Sequence, residues 1–390
     1  MAVPLLLGTY SAARAAESWI GIWGSDPVVA TPDGYAGKTV RQTIHLTGGG
    51  QSVRLRLSNA FGDENLVVGA AAVARPALGD GTIVPGSAAP VTFGGARAIV
   101  VAPHATILSD PVARSVASGE DLSVSLYLAG GARPSAHPLA LDPGFAAPGD
   151  QTAAAALTGA TPLRVQLVVS GVDAAGAAAG AAGGTIVALG DSITDGFRST
   201  PGLDRRWTDV LARRLAATQD LAGFGVVDAG ISGNRLLGDG QATSGPNALS
   251  RLPRDVLALP GLRFVCLLEG INDILAGAAA RDGARRITAA HLIAGYKQVI
   301  DQVHEHGAKV LIGTLTPASA RGYTEAVRQE TNAWIRAGRG FDGVLDFDAA
   351  LRDPSQPSQF LARYDSGDHL HPNDDGYAAM ADAVNLSLFR

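Results

Sequence analysis

The sequence predicts two structural units in one chain: an antiparallel β-sandwich of jelly-roll type, then an α/β unit built on a parallel sheet. Three observations carry this expectation. The chain has 390 residues, more than one hydrophobic core usually serves. Up to about Ser170 apolar residues recur mostly at every second position, the period of half-buried strands. After the Ala/Gly-rich stretch "GVDAAGAAAGAAGG" short apolar runs alternate with longer helical ones, as in a parallel sheet with helices on its faces.

Taken in order, the first segment, "MAVPLLLGTYSAARAAES", has a short apolar run and an A-x-A pattern at Ala13-Arg14-Ala15. It predicts a signal-peptide remnant over 1–16 and with it a periplasmic or secreted protein, although the basic n-region of such segments is missing. The sandwich is expected over 17–170, with strands at "RQTIHLT", "VRLRL", "NLVVGAAAVA", "RAIVVAP", "LSVSLYL" and "LRVQLVV" between Gly, Pro and Asp clusters. Residues 171–184, which lack any large side chain, read as a flexible linker. From 185 to 390 the strands are "TIVALG", "GVVDAG", "RFVCLLEG", "AKVLIGTLTP" and "GVLDFD". Helical periodicity lies in "RWTDVLARRLAAT", "NALSRLPRDVLAL", "AAHLIAGYKQVIDQVHEHG", "YTEAVRQETNAWIRAG" and "DDGYAAMADAVNLSLF".

Composition excludes several function classes. With 46% hydrophobic and 17% charged residues the chain can fill sizeable cores. A net charge of −5 without a Lys/Arg block leaves no nucleic-acid footprint. No apolar run outside the first segment reaches transmembrane length. The single cysteine, Cys266, lies within the apolar "FVCLL", so neither an internal disulfide nor a cysteine-based metal site is available. No GxGxxG or GxxxxGK[ST] pattern supports a nucleotide site.

In parallel α/β sheets functional groups collect beyond the carboxyl ends of the strands. Ser192 follows the first such strand, Gly233 and Asn234 follow the second, and Asn272 and Asp273 follow the third, while "SGDHLHPND" before the last helix carries Asp368, His369 and His371. Acyl transfer by serine needs a base, a group that orients the base, and donors for an oxyanion. Ser192 is the candidate nucleophile, His371 the base and Asp368 its orienting group, because an i, i+3 spacing brings both side chains to one side of a turn. The amides of Ser192 and Gly233 and the Asn272 carboxamide are the candidate oxyanion donors, Gly233 being suited to close approach for want of a Cβ. Asp195 and Asp273 read as local backbone caps.

The blocks "GDSIT", "SGN", "GIND" and "DHLH" resemble those of the SGNH-hydrolase (GDSL) superfamily, in that superfamily's order, with Asp368 in the matching Asp-x-x-His. The resemblance covers 185–390 and implies a three-layer flavodoxin-like fold and a cofactor-free serine esterase with no metal. The whole chain is similar to two-domain bacterial members with an N-terminal β-sandwich. It departs from the pattern at Glu269, ahead of "GIND", whose carboxylate either faces the site or caps a neighbour. Asp191, Asn234, Glu269 and Thr316 are further candidates for substrate contact.

The expected substrates are short-chain acyl esters, acetyl groups on carbohydrate foremost, since no long apolar insertion resembles a lipase lid. Short-chain lipid esters and thioesters are the alternatives within this chemistry. Metal-assisted hydrolysis draws on Asp365, Asp368, His369, His371, Asp374 and Asp375 but lacks an HExxH pattern. A non-catalytic carbohydrate-binding protein would need a degenerate site, and no position of the constellation is missing.

Overall fold

The computed structural model describes residues 18–31, 34–130, 133–176, 183–279, 286–319 and 323–390, so the segment expected as a signal remnant, 1–16, lies outside the described residues. The strands of the first half that matter below are β1 (Trp19–Gly24), β2 (Lys38–His45), β3 (Ser52–Ser58), β4 (Leu66–Ala74), β5 (Thr106–Leu108), β6 (Asp121–Gly130), β7 (Ser135–His137), β8 (Gly144–Pro148) and β9 (Val169–Ala175). One antiparallel sheet has the order β1-β9-β3-β5, and β8, β2, β6 and β4 are successive neighbours in a second. The alternation in the sequence becomes register: across β2 and β6, Val40 pairs with Leu126 and Ile44 with Leu122, all four buried. Side chains from both sheets, among them Ile22, Leu55, Leu57, Val124 and Leu126, share one core.

Two expectations change here. The run "LRVQLVV" is not one strand: Gln166–Leu167 pairs with β7, the chain turns at Val168 with φ 64°, and β9 begins at Val169. Of the linker expected over 171–184, residues 171–175 belong to β9, Gly183 and Gly184 open the next strand, and 177–182 lie outside the described residues. Val172 and Ala174 are wholly buried between β1 and β3. Small residues that read as unanchored along the chain are anchored by a neighbouring strand on each side.

The second half holds β10 (Gly183–Gly190), β11 (Gly223–Gly230), β12 (Leu262–Leu268), β13 (Lys309–Gly313) and β14 (Gly343–Leu345), parallel and in the order β11-β10-β12-β13-β14. The helices are α1 (Ser192–Asp195), α2 (Trp207–Ala216), α3 (Ala248–Leu252), α4 (Ile271–Ala279), α5 (Ala289–Glu305), α6 (Tyr323–Arg336), α7 (Phe347–Leu351) and α8 (Asp374–Ala383). α2 and α7 pack on α8, whereas α3 and α6 pack on α5. Two helical groups and a sheet of order 2-1-3-4-5 make the flavodoxin-like three-layer fold. The strand order reverses at β10, and a crevice opens beyond the carboxyl end of the strand where that happens. A second core, with Val187, Leu189, Trp207, Leu267, Ile312 and Tyr377, fills this half.

The two halves meet where β1 crosses the edge strand β11. A Cβ on Gly225 would lie 2.2 Å from the carbonyl oxygen of Gly21, so the backbones touch directly. The Gly21 N–H donates to Thr185 Oγ1 at 2.8 Å. Thr47 Oγ1 accepts the Val226 N–H at 3.0 Å and lies 2.6 Å from the carbonyl oxygens of both Val226 and Ile22, which share its one proton.

Candidate active site

Ser192 opens α1, the single turn that follows β10. Asp191 caps that turn, its Oδ1 accepting the N–H of Ile193 at 2.9 Å, and Gly196 closes it in the left-handed region with φ 86°. The Ser192 side chain is thereby directed at the loop before α8. Ser192 Oγ lies 2.8 Å from His371 Nε2.

That loop is held by its own acidic side chains. Asp368 Oδ1 accepts the N–H groups of Leu370 at 3.0 Å and His371 at 2.9 Å, and Oδ2 accepts His371 Nδ1–H at 2.9 Å and Arg198 Nε–H at 3.1 Å. Burial raises the Asp368 carboxyl, but the N–H donors of His371 and Leu370 and the imidazole outweigh it and hold it well below the usual carboxylate range. Burial lowers His371, Asp368 opposes that shift, and the Arg198 charge adds to it, with a net value below that of a free histidine. The imidazole is neutral at neutral pH, its Nδ1–H fixed on Asp368 and its Nε2 free to accept a proton. Phe197 packs edge-on against this ring, centroids 4.8 Å apart.

Gly233, at the end of the loop after β11, has φ 79°, and a Cβ there would meet Ser244 Oγ at 2.5 Å. Both the conformation and the space require glycine. Among the described residues no protein acceptor takes the N–H of Ser192 or of Gly233. Asn272 Nδ2, in the first turn of α4, donates to the Asn234 carbonyl at 3.0 Å and makes a long contact of 3.4 Å to Asp191 Oδ2.

The four further candidates for substrate contact are all buried. Asn234 is spent inside the protein: Nδ2 donates to the carbonyls of Ser244 and Pro246, and Oδ1 accepts Arg251 Nε–H at 3.0 Å. Glu269 is buried, and neither of its carboxylate oxygens has a hydrogen-bond partner among the described residues. Burial, reinforced by Asp191, pushes its carboxyl well above the usual range, and Arg251 opposes that at a distance of 3.8 Å. The Thr316 hydroxyl is likewise buried and unpaired, and Asp191 is the cap of α1. Sequence position at a strand end places such residues near the crevice without telling the floor from the opening.

Asp195 is not a local cap. Its Oδ2 accepts both the N–H and the hydroxyl of Ser232, at 3.0 and 2.6 Å, and its Oδ1 lies 3.0 Å from His137 Nε2 on β7. Asp273 reaches across to the N–H groups of Leu236 and Leu237. Arg251, on α3, joins Asp26 Oδ2, the carbonyls of Ala229 and Gly190, and Asn234. No local pattern marks the contacts of Arg251 with Asp26 and Gly190 or that of His137 with Asp195, whose partners are remote in the chain.

The acidic run at 365–375 does not converge on one point. Asp365 pairs with His369, Asp368 with His371 and Asp374 with Thr200. Among the described residues, the groups near enough to share an ion are His45, Asp121 and Asp204, with ligand atoms within 4.8 Å, and none of them belongs to the Ser192 site.

Residues 188–379 match the family model of GDSL-like lipases/acylhydrolases. This half of the chain belongs to that family. No curated protein matches the sequence. Solved structures similar to the GDSL-like hydrolase include a putative lipolytic protein of the G-D-S-L family from Desulfitobacterium hafniense DCB-2, with 21% identity over 51% of this chain and 96% of that one and a TM-score of 0.39. Est24, a carbohydrate acetylesterase from Sinorhizobium meliloti, is 16% identical over 51% and 95% of the two chains with a TM-score of 0.39. An aryl esterase from M. smegmatis is 20% identical over 51% and 95%, with a TM-score of 0.38. The GDSL-like hydrolase is a carboxylic ester hydrolase.

Proposed function

We propose that this hydrolase cleaves short-chain acyl esters, acetyl groups on carbohydrate foremost, through an acyl-enzyme on Ser192. The 2.8 Å contact between Ser192 Oγ and His371 Nε2 carries the reading. As Oγ bonds to the acyl carbon, its proton passes to Nε2, and Asp368 stabilises the imidazolium. The carbonyl oxygen becomes an oxyanion that takes the N–H groups of Ser192 and Gly233 and Asn272 Nδ2–H, the last by giving up its 3.4 Å contact with Asp191. The C–O bond to the alcohol then breaks, and Nε2–H returns the proton to the leaving oxygen. Water repeats the sequence on the acyl-enzyme, releasing the acid and restoring Ser192.

The short-chain preference draws on exposed polar side chains next to the catalytic loop in sequence or contact. The Arg198 side chain is 52% exposed and that of His369 67%. Both are polar groups able to hydrogen-bond a polyhydroxyl alcohol. The role of the first half as a separate glycan-binding domain, and export from the cytoplasm, belong to the same proposal and draw on the sequence alone.

Ser192→Ala should leave a folded protein with turnover of p-nitrophenyl acetate lowered by roughly 10⁴-fold or more. A variant that keeps a tenth of wild-type turnover excludes Ser192 as nucleophile. Comparison of p-nitrophenyl acetate, butyrate and octanoate with acetylated xylan tests the substrate class, and a preference for octanoate would sink it.

A further inference from the structure

The first half of the molecule reaches the reaction site through the side chain of His137. His137 lies on β7 and is buried between the halves. Its Nδ1 is 2.8 Å from the carbonyl oxygen of Asp26, which can only accept, so Nδ1 carries a proton. Its Nε2 is 3.0 Å from Asp195 Oδ1, and the other oxygen of that carboxylate already accepts two hydrogen bonds from Ser232. Both ring nitrogens therefore donate, and the ring is an imidazolium. Burial works against that charge, but Asp195 overcomes it and His137 is raised to about 9.

Asp195 closes the turn that Ser192 opens, and Ser232 directly precedes Gly233. One carboxylate thus ties the turn bearing the nucleophile to the loop bearing an oxyanion donor. Gly233 has no side chain of its own to fix its N–H, and its left-handed conformation is open to few other constraints. A second strap leaves the same segment of the first half: Asp26 Oδ2 accepts Arg251 Nη1–H at 3.0 Å, and Arg251 Nη2 donates to the carbonyl of Gly190 at the end of β10.

We propose that His137 is a positioning residue for ester hydrolysis, holding Asp195 so that the Ser232–Gly233 backbone presents its N–H to the developing oxyanion. The proposal rests on the reading of Gly233 as an oxyanion donor. It makes the β-sandwich a working part of the active site, whatever else that half binds.

A displaced donor weakens the transition state and leaves substrate binding nearly untouched. In the full chain, His137→Gln should lower kcat for p-nitrophenyl acetate by about 30-fold and change KM by less than about threefold. Affinity for a boronic acid that forms a tetrahedral adduct on Ser192 should fall in proportion to kcat. Rates are referred to sites titrated with diethyl p-nitrophenyl phosphate, so loss of folded protein does not count as loss of turnover. Ser232→Ala, in a half-buried loop position, removes the 2.6 Å bond to Asp195 and should give a smaller loss of kcat, about tenfold. The double variant should lose much less than the product of the two.

Turnover per titrated site equal to wild type in His137→Gln overturns the proposal, as does a double variant whose losses multiply. Where His137→Gln does not fold, an unchanged kcat in Ser232→Ala overturns it, and a kcat-only loss there supports it. Failure of the underlying reading looks different: Ser192→Ala would keep its turnover, and the phosphate ester would not titrate Ser192.

Discussion

Arg41 in the sandwich and Arg251 in the α/β half are both 1% exposed, yet they are surrounded by opposite kinds of group. Arg41 donates to Ser125 Oγ and to the carbonyls of Gly81, Gln151 and Ala154, all neutral, and burial lowers its pKa. It staples loops to a sheet. Arg251 sits among carboxyl groups, with Asp26 at 3.0 Å, Asp255 at 3.6 Å and Glu269 at 3.8 Å. Burial raises Asp26, Glu269 and Asp191, and Arg251 opposes the rise in all three. A buried cation with neutral partners reports on architecture, whereas one that restrains several buried acids beneath the nucleophile strand reports on the site.

Removing each cation tests that contrast most strongly. Arg251→Met should cost about 3–5 kcal/mol in denaturant unfolding, because it strips the positive charge from a cluster of buried acids. Arg41→Met should cost about 1–3 kcal/mol, the loss of hydrogen bonds to neutral acceptors, and leave kcat/KM at the wild-type value. Equal losses of turnover in the two variants would break the comparison.

Next in size is Asn272→Ala, which should lower kcat by roughly 10²–10³-fold at nearly constant KM, since its amide is assigned to charge that appears only in the transition state. A rise in KM at level kcat would make it a ground-state contact.

Two histidines sharpen the contrast through pH. The acid limb of kcat/KM should fall below the ordinary histidine value of 6.5, because His371 is lowered, and it should be absent from the residual activity of His371→Ala. His137, faced by Asp195 and Asp26, is shifted the other way, from 6.5 to about 9. Its contribution to stability is therefore complete below the unfolded value and is lost as pH rises through the folded one. Urea unfolding should show wild type exceeding His137→Gln by about 3 kcal/mol more at acidic than at strongly alkaline pH. A difference independent of pH would mean that the His137 ring is neutral. Smallest of all is His369→Ala, with turnover within about twofold of wild type, since that ring is tied to Asp365 and not to Ser192. A loss as large as that of His371→Ala would reassign the base.

Much of the α/β half was legible because each strand's apolar run and each helix's period record burial against its own neighbours. Ser192, Gly233 and Asn272 were legible as residues beyond strand ends for the same reason, and Asp368 and His371 as a pair ahead of the last helix. Other features were not. β1, "WIGIWG", is too short to declare a period, and it packs both on β9 of its own sheet and across the seam on β11. α4, Ile271–Ala279, has no counterpart among the helical runs read from the sequence. The role of His137 depends on a contact 58 positions away across the seam between the halves, which no local pattern encodes.

The Thr47 contact at that seam has a consequence for how this chain behaves in company. β11 is the outermost strand of its sheet, and an outermost strand with unanswered N–H and C=O groups is a template onto which another chain can add. Val226 would offer both groups outward, and the Thr47 hydroxyl engages both of them. Beside it, the direct backbone contact of Gly21 with Gly225 leaves no gap for an incoming strand. The sandwich is therefore also a guard against aggregation: separated from it, the hydrolase half would carry an open, apolar ribbon edge of the kind that recruits copies of itself.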